Sequence, residues 1–309
     1  MAKLKKEDHM KILEGYKKGE KVKKMAEKYS VSETYIYHLL KKYGVETVSQ
    51  EISQRKYSLD IKKFKKIETE ETAYTLGFLG ADGYNNEERG LISIHLKRED
   101  EPHLAKLNEV FGSNNPIKRT TSGNSFNQKK SEVSYIRMYS KTLSKQLAKW
   151  GIVQAKTHKY EFPYFLDEKL LRHYLRGYID GDGCFSSKKR NRFSFIGPRT
   201  FCEEVINFLK KENVIETYKE KKYKEKGYVS INVYGNYQIK RLIHFLYDDS
   251  TIYLERKKQI VDEIIESIDK KEEEKNQKKI CIHCEREAVA KKMCLMHYKR
   301  VWKKQKKEI

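Results

Sequence analysis

The sequence contains no run approaching the ~18 apolar residues of a membrane-spanning helix. Its first residues, Met1-Ala2-Lys3-Leu4-Lys5-Lys6-Glu7, have no apolar stretch of the kind that precedes a secretory cleavage site. Apolar residues are scarce, 38% of 309, against ~45–50% in a typical globular chain. Disorder is nevertheless disfavoured, because 22 Tyr and 12 Phe supply large burial per residue. Cysteines are few and odd in number, five, and three of them fall between Cys281 and Cys294. That argues against a disulfide framework and for a reduced, intracellular protein with a local metal site. Acid is also in deficit: 44 Asp and Glu face 66 Lys and Arg, a formal charge of +22. Such an excess excludes an acidic tail protein and an ordinary neutral metabolic enzyme. It calls for a polyanionic partner, either nucleic acid or an anionic membrane surface.

The length accommodates about two domains plus a small module. Residues 1–45 read as short helices, 46–68 as a polar, Lys-rich linker, 69–165 and 166–268 as two similar repeats, 269–279 as a charged linker and 280–309 as a Cys/His module. The first block has helix-turn-helix spacing. Ala26 is small where two helices must approach, Ser30 falls at the turn, Val31 fills the core, and Ile36 and Leu39 face inward one turn apart. Ser32 is the expected N-cap, with Glu33 in the first turn, while Met10, Ile12, Leu13, Val22 and Met25 provide the other apolar faces. The exposed side of the second helix then carries Glu33, Thr34, Tyr37, His38 and Lys41, which in such a motif enter the major groove.

The most informative residues occur twice. Thr75-Leu76-Gly77-Phe78-Leu79-Gly80-Ala81-Asp82-Gly83 is echoed by Leu175-Arg176-Gly177-Tyr178-Ile179-Asp180-Gly181-Asp182-Gly183, an internal duplication at an offset of 100 residues. Gly77 and Ala81, like Gly177 and Gly181, share one helix face. Glycine inside a helix costs about 0.5–1 kcal/mol relative to alanine, and close backbone packing of two such helices offsets that. Asp82 and Asp182 then fall at helix C-terminal ends, where the macrodipole disfavours a carboxylate and where two of them repel. A divalent cation between them resolves both conflicts. Gly83 and Gly183 are expected to let the chain turn sharply out of each helix.

With these flanks the chain resembles the single-chain, two-motif LAGLIDADG homing endonucleases over roughly residues 57–268. Gly151-Ile152-Val153-Gln154-Ala155-Lys156-Thr157 and Thr251-Ile252-Tyr253-Leu254-Glu255-Arg256-Lys257 look like the family's closing basic segments. Gly80 departs from the motif, replacing its first Asp. The resemblance implies an α+β fold, two αββαββα halves forming a saddle-shaped antiparallel sheet over a DNA duplex. It implies a monomer with an internal pseudo-two-fold axis that cuts both strands of a specific site, as in intron homing and other mobile elements. Two or three Mg2+ ions would be held by Asp82 and Asp182, with Ala81 and Gly181 beside them. Oxygen ligands suit Mg2+, which keeps several waters and binds phosphate. Lys156 and Arg256, related by the same offset, are the candidates for polarising water and stabilising the transition state, with Lys257 a close rival.

Period-two alternation marks the strands. Ile92, Ile94 and Leu96 oppose Ser93, His95 and Lys97; Ile136 and Met138 oppose Tyr135, Arg137 and Tyr139. Phe193 and Phe195 oppose Arg192 and Ser194; Val229, Ile231 and Val233 oppose Ser230, Asn232 and Tyr234. The polar faces, with Lys188 and Arg190, are the expected DNA contacts. In the last module, Cys281-x2-Cys284-x9-Cys294-x2-His297 has the spacing of a tetrahedral structural Zn2+ site, with His283 a substitute ligand. So short a segment needs such a staple. Lys291, Lys292, Lys299, Arg300, Lys303 and Lys304 surround it, and it resembles small zinc modules appended to phage-type nucleases. Cys184 and Cys202 read as ordinary buried thiols. An intracellular, cytoplasmic protein of a prokaryotic or phage-infected cell is expected. Two alternatives stay open: a catalytically silent DNA-binding regulator of the same fold, and an intron RNA maturase.

Overall fold

In the computed structural model, which describes residues 4–45, 55–123, 130–154, 160–187, 190–223, 227–276 and 280–305, the chain forms two units, Met1–Tyr57 and Ser58–Ile309. The first unit holds α1 (Lys6–Lys17), α2 (Val22–Lys28) and α3 (Glu33–Lys42). Ile12, Val22, Met25, Ala26, Ile36, Leu39 and Leu40 form its core. Ser32 caps α3 by accepting the Tyr35 N–H at 3.2 Å. Val31 N–H returns to the Ala26 carbonyl at 3.0 Å, and Ser30 between them takes φ 52°, a left-handed conformation that glycine usually fills. Met10, expected among the apolar faces, is 51% exposed. It lies two residues before Ile12, on the opposite side of α1.

The second unit repeats one pattern. The first pass is α4 (Glu70–Asp82), β1 (Gly83–Asn86), β2 (Leu91–Lys97), a 3₁₀ turn (Arg98–Asp100), α5 (Glu101–Val110), β3 (Lys118–Gly123), β4 (Lys130–Tyr139) and α6 (Lys141–Lys149). The second is α7 (Glu168–Asp182), β5 (Cys184–Ser186), β6 (Arg192–Pro198), α8 (Arg199–Lys211), β7 (Lys219–Lys222), β8 (Tyr228–Tyr234) and α9 (Asn236–Tyr247). Each pass makes a four-stranded antiparallel sheet with the same topology, β1-β2-β4-β3 and β5-β6-β8-β7. The duplicated αββαββα core of an α+β fold is therefore observed. The pairs Ile94–Ile136 and Phe195–Ile231 put the apolar rows on the buried faces, where α4 to α9 cover them in one continuous core.

Gly77 and Gly177 set how the halves join. A Cβ on Gly77 would stand 1.9 Å from the Tyr174 carbonyl oxygen, and one on Gly177 would stand 2.0 Å from that of Tyr74. The two helices thus pack backbone to backbone. Residues 58–67, expected within a linker, instead belong to this core. Phe64 is fully buried and stacks on Phe111 at 4.8 Å, and the Trp150 indole N–H donates to the Phe64 carbonyl at 2.8 Å. Lysines at 62, 63, 65 and 66 hide this apolar spacing in the sequence. Beyond α9 come α10 (Glu255–Asn276), which buries Val261, Ile264 and Ile268, and α11 (Leu295–Gln305). No described helix is long and apolar enough to cross a membrane.

His103 and His173 lie inside this unit. His103, 1% exposed and 3.1 Å from the Tyr74 hydroxyl, is held down to about 3, by burial first and then by Lys106. Burial, then Arg176, hold His173 down to about 4. Both folded values lie below the ordinary 6.5, so between pH 6.5 and these values the unfolded chain binds protons that the folded chain does not. Stability is full above pH 6.5 and falls with acid, by up to about 1.4 kcal/mol per pH unit for each group. Urea midpoints at pH 7 and pH 5 should show this loss, and His103→Gln should flatten it. An equal loss in the variant would overturn the assignment.

Candidate functional site

Asp82 and Asp182 are the last residues of α4 and α7, and both are exposed. The two helix ends converge: a Cβ at Gly181 would stand 2.3 Å from the Ala81 Cβ and 3.3 Å from Asp82 Oδ2. Gly83 and Gly183 do not make the expected sharp turn. Their φ values of −82° and −80° are ordinary extended backbone. Glycine is needed there for room, since a Cβ would stand 2.7 Å from the Leu79 and Ile179 carbonyl oxygens respectively.

The Lys257 ammonium, 6% exposed, donates to the carbonyls of Ile179 at 2.6 Å, Gly181 at 3.1 Å and Gly183 at 2.6 Å. It closes the C-terminal end of α7 and offsets the negative pole beside the two acids. Burial lowers its pKa, while Asp180, Asp82 and Asp182 act in the opposite direction. Arg256 is engaged elsewhere, in an ion pair with Asp100 at 3.0 Å and Glu99 at 3.6 Å. Lys156 lies outside the described residues.

Four residues of this region were missed as site candidates. Asp180, 1% exposed, accepts from the hydroxyls of Tyr74 at 2.7 Å and Tyr247 at 2.6 Å and from the Leu254 N–H at 2.8 Å. Burial raises its pKa against these bonds and Lys257. Burial likewise pushes Tyr74 and Tyr247 well above 10. The fourth, Arg176, is fully buried. It donates to the carbonyls of Ile252 at 3.0 Å and Leu246 at 2.8 Å and pairs with Glu70 at 2.6 Å. The halves differ here. In the first repeat position 80 is glycine, a Cβ there would stand 1.6 Å from the Tyr160 hydroxyl, and that hydroxyl bonds to Tyr174. An acid at position 80 has no space.

The polar faces of the two sheets carry the remaining candidates. In the first sheet Ser93 pairs with Arg137 and His95 with Tyr135. His95 stacks on Tyr135 at 5.0 Å and the Arg137 guanidinium lies 4.7 Å from the same ring. Lys97 and Tyr139 are exposed, whereas Ser93 is buried. In the second sheet Arg192 pairs with Tyr234, Ser194 with Asn232, and Ile196 with Ser230. Arg190 covers the Tyr234 ring at 4.0 Å, and Asn232 is 5% exposed. Lys188 lies outside the described residues. Cross-strand register adds Tyr84, Lys118, Lys219 and Lys221 to these faces. Cys184, expected buried, is exposed, because it pairs with Ser194 on the polar side of β5; Cys202 is buried and its thiol is pushed up to about 12. On α3, Thr34, His38 and Lys41 are exposed and Tyr37 is half-buried.

The ligand atoms of Cys281, Cys284, Cys294 and His297 lie within 4.8 Å of one another. His297 Nδ1 is 3.3, 3.6 and 3.4 Å from the three sulfurs in that order, and Cys284 Sγ is 3.7 Å from Cys294 Sγ. A tetrahedron built on Zn–S and Zn–N bond lengths has edges of about 3.8 Å between sulfurs and about 3.5 Å from sulfur to nitrogen. The donor set fits a metal of that size. Burial pushes the Cys281 thiol up, but bonds from the Cys294 and His283 backbone and from His297 outweigh it and bring the group to about 6.

Residues 169–245, α7 through most of α9, match the family model of a LAGLIDADG-like domain. No curated protein matches the chain. Among solved structures, the LAGLIDADG homing endonuclease I-SmaMI bound to cleaved DNA is similar at 15% identity, over 63% of this chain and 88% of that one, with a TM-score of 0.40. The LAGLIDADG meganuclease I-AabMI bound to uncleaved DNA is similar at 15% identity, over 65% and 91%, with a TM-score of 0.44. Full-length DUF199/WhiA from Thermatoga maritima is similar at 14% identity, over 67% and 65%, with a TM-score of 0.39.

Proposed function

We propose that this chain, through the LAGLIDADG-like domain of residues 169–245 and its duplicate, is a site-specific endonuclease of double-stranded DNA. The observation that carries the reading is the repeated acid: Asp82 and Asp182 end two helices whose glycine faces hold them backbone to backbone. A carboxylate is disfavoured at a helix C-terminal end and two at converging ends repel; binding of a cation at a phosphodiester accounts for the pair. The donors are hard oxygens, the two carboxylates with the Gly181 and Ala81 carbonyls nearby, and they suit Mg2+. The ion would supply Lewis-acid polarisation of the phosphate. Lys257 is favoured over Arg256 as the positive charge of the centre, because three carbonyls hold its ammonium on the end of α7 while Arg256 is committed to Asp100.

The sheet faces are the proposed duplex contacts. His95, Lys97, Tyr135, Arg137 and Tyr139 would act from the first repeat, and Arg190, Arg192, Ser194, Ser230 and Tyr234 from the second, with the buried Ser93 and Asn232 left out. The N-terminal unit would act as a helix-turn-helix, presenting Thr34, Tyr37, His38 and Lys41. Removing residues 1–45 should shorten the protected footprint and weaken affinity about tenfold or more while leaving cutting intact at high protein concentration; an unchanged footprint would mean that this unit does not touch DNA.

The Cys/His module would carry one structural Zn2+ that presents Lys291, Lys292, Lys299 and Arg300 to phosphates. Purified protein should contain one tightly held zinc. Cys294→Ser should lose it, and hydrogen exchange in residues 280–305 should rise to unprotected rates with the duplicated core unchanged. Zinc-free wild-type protein with the same protection would overturn this. For the function itself, the test is incubation with a randomised duplex library and Mg2+, followed by sequencing of cut ends. Recurrent double-strand cuts at one sequence are expected. Binding enrichment without cuts would instead indicate a silent regulator.

A further inference from the structure

We infer that Asp180 is a positioning residue for Lys257, and that through it the second motif is the prebuilt half of the centre, so the two DNA strands are cut at unequal rates. This rests on the nuclease reading above. The Leu254 N–H that donates to Asp180 belongs to the residue whose carbonyl accepts the N–H groups of Lys257 at 2.9 Å and Lys258 at 3.0 Å. Asp180 therefore fixes the first turn of α10 against the last turn of α7. The backbone of Lys257 is placed by that turn, and its ammonium spans back to the carbonyls of Ile179, Gly181 and Gly183. Tyr247 and Tyr74 hold the carboxylate from α9 and α4, so its two oxygens serve three donors. An amide at this position offers one acceptor oxygen for the same three.

Among the described residues the first repeat shows no counterpart of this device. Position 80 is glycine, its space is taken by the Tyr160 hydroxyl, and position 157, one hundred residues before Lys257, is threonine. A side chain that merely stabilised the core would support both halves alike, because α4 and α7 share one interface. A side chain that places Lys257 affects the strand nearer to it. A misplacement of ~1 Å costs about a hundredfold in rate.

The experiment uses the full chain, Mg2+ and a supercoiled plasmid carrying a site recovered from the library selection, and follows nicked and linear product separately. Wild-type protein should show unequal strand rates. Asp180→Asn should slow one strand about tenfold to a hundredfold and leave the other within about twofold, so nicked circles accumulate. Tyr247→Phe, which removes one donor and keeps the carboxylate, should shift the ratio in the same direction and serves if Asp180→Asn fails to fold. Tyr160→Phe, which deletes an equally buried phenol bond, the one to Tyr174, and leaves the bonds to Asp180 in place, should leave the ratio unchanged. Equal slowing of both strands by Asp180→Asn or Tyr247→Phe, or no slowing, overturns the inference and leaves the nuclease reading standing. A wild-type chain that cuts neither strand of any site overturns both.

Discussion

Asp82→Asn and Asp182→Asn should each reduce double-strand cutting by three orders of magnitude or more, equivalent to about 4 kcal/mol of transition-state stabilisation. Each substitution removes one carboxylate from a pair at converging helix ends and leaves shape and volume nearly unchanged. DNA affinity should hold or tighten, because an acid facing phosphates is replaced by a neutral amide. Folding should be unharmed, since both side chains are exposed and a carboxylate at a helix C-terminus is unfavourable. Affinity by filter binding, urea midpoints and single-turnover cutting separate the three quantities. Full double-strand activity in either variant would sink the assignment, whereas residual nicking of one strand would mean that each acid serves mainly one strand.

The second large effect concerns Gly77 and Gly177. Helix propensity alone makes Gly→Ala stabilising by about 1 kcal/mol. The packing reverses that sign. A methyl on Gly177 would stand 2.0 Å from the Tyr74 oxygen and 2.9 Å from the Phe78 nitrogen, both backbone atoms that cannot swing away. The helices must separate, the buried Tyr74 and Tyr174 lose contacts, and about 3 kcal/mol or more is lost. In a domain of ~5–15 kcal/mol that is a large share. Fluorescence of Trp150 during urea unfolding, with Trp302→Phe as background, reports it. An unchanged or raised midpoint would mean that the helices do not touch through their glycines. The converging acids would lose their basis as well.

Much of this was legible in the sequence because duplication and alternation are strong signals. Two Gly-x-x-x-x-Asp-Gly copies at one offset located the helix interface, and Ile92, Ile94 and Leu96 against Ser93, His95 and Lys97 located a sheet face. What escaped has a common physical cause. Phe64 and its neighbours looked like linker because lysines dominate the local average, although a single buried ring decides where the segment lies. Ser93 and Asn232 share the register of the polar face yet are buried, because burial depends on neighbouring strands, which alternation does not encode. Lys257 and Arg256 are adjacent in sequence and alike in charge. One is buried over α7 and the other reaches Asp100, a difference set by the direction of α10. Asp180 looked like one more motif letter. Its importance comes from Tyr247 and Leu254, some seventy residues away.

Arg176 bears on ancestry and dissection. Its counterpart one repeat earlier is Leu76, and its ion-pair partner Glu70 stands where the second repeat has Leu170. A fully buried guanidinium in one half is thus neutralised by a carboxylate in the other. Each half lacks its own partner for this pair. Two copies of the second repeat would leave each buried Arg176 without its Glu70 partner, and two copies of the first would face each Glu70 with leucine. The one charge pair ties each half to the other. A chain of two second repeats should therefore associate better with Arg176→Leu, which removes the unpaired buried charge.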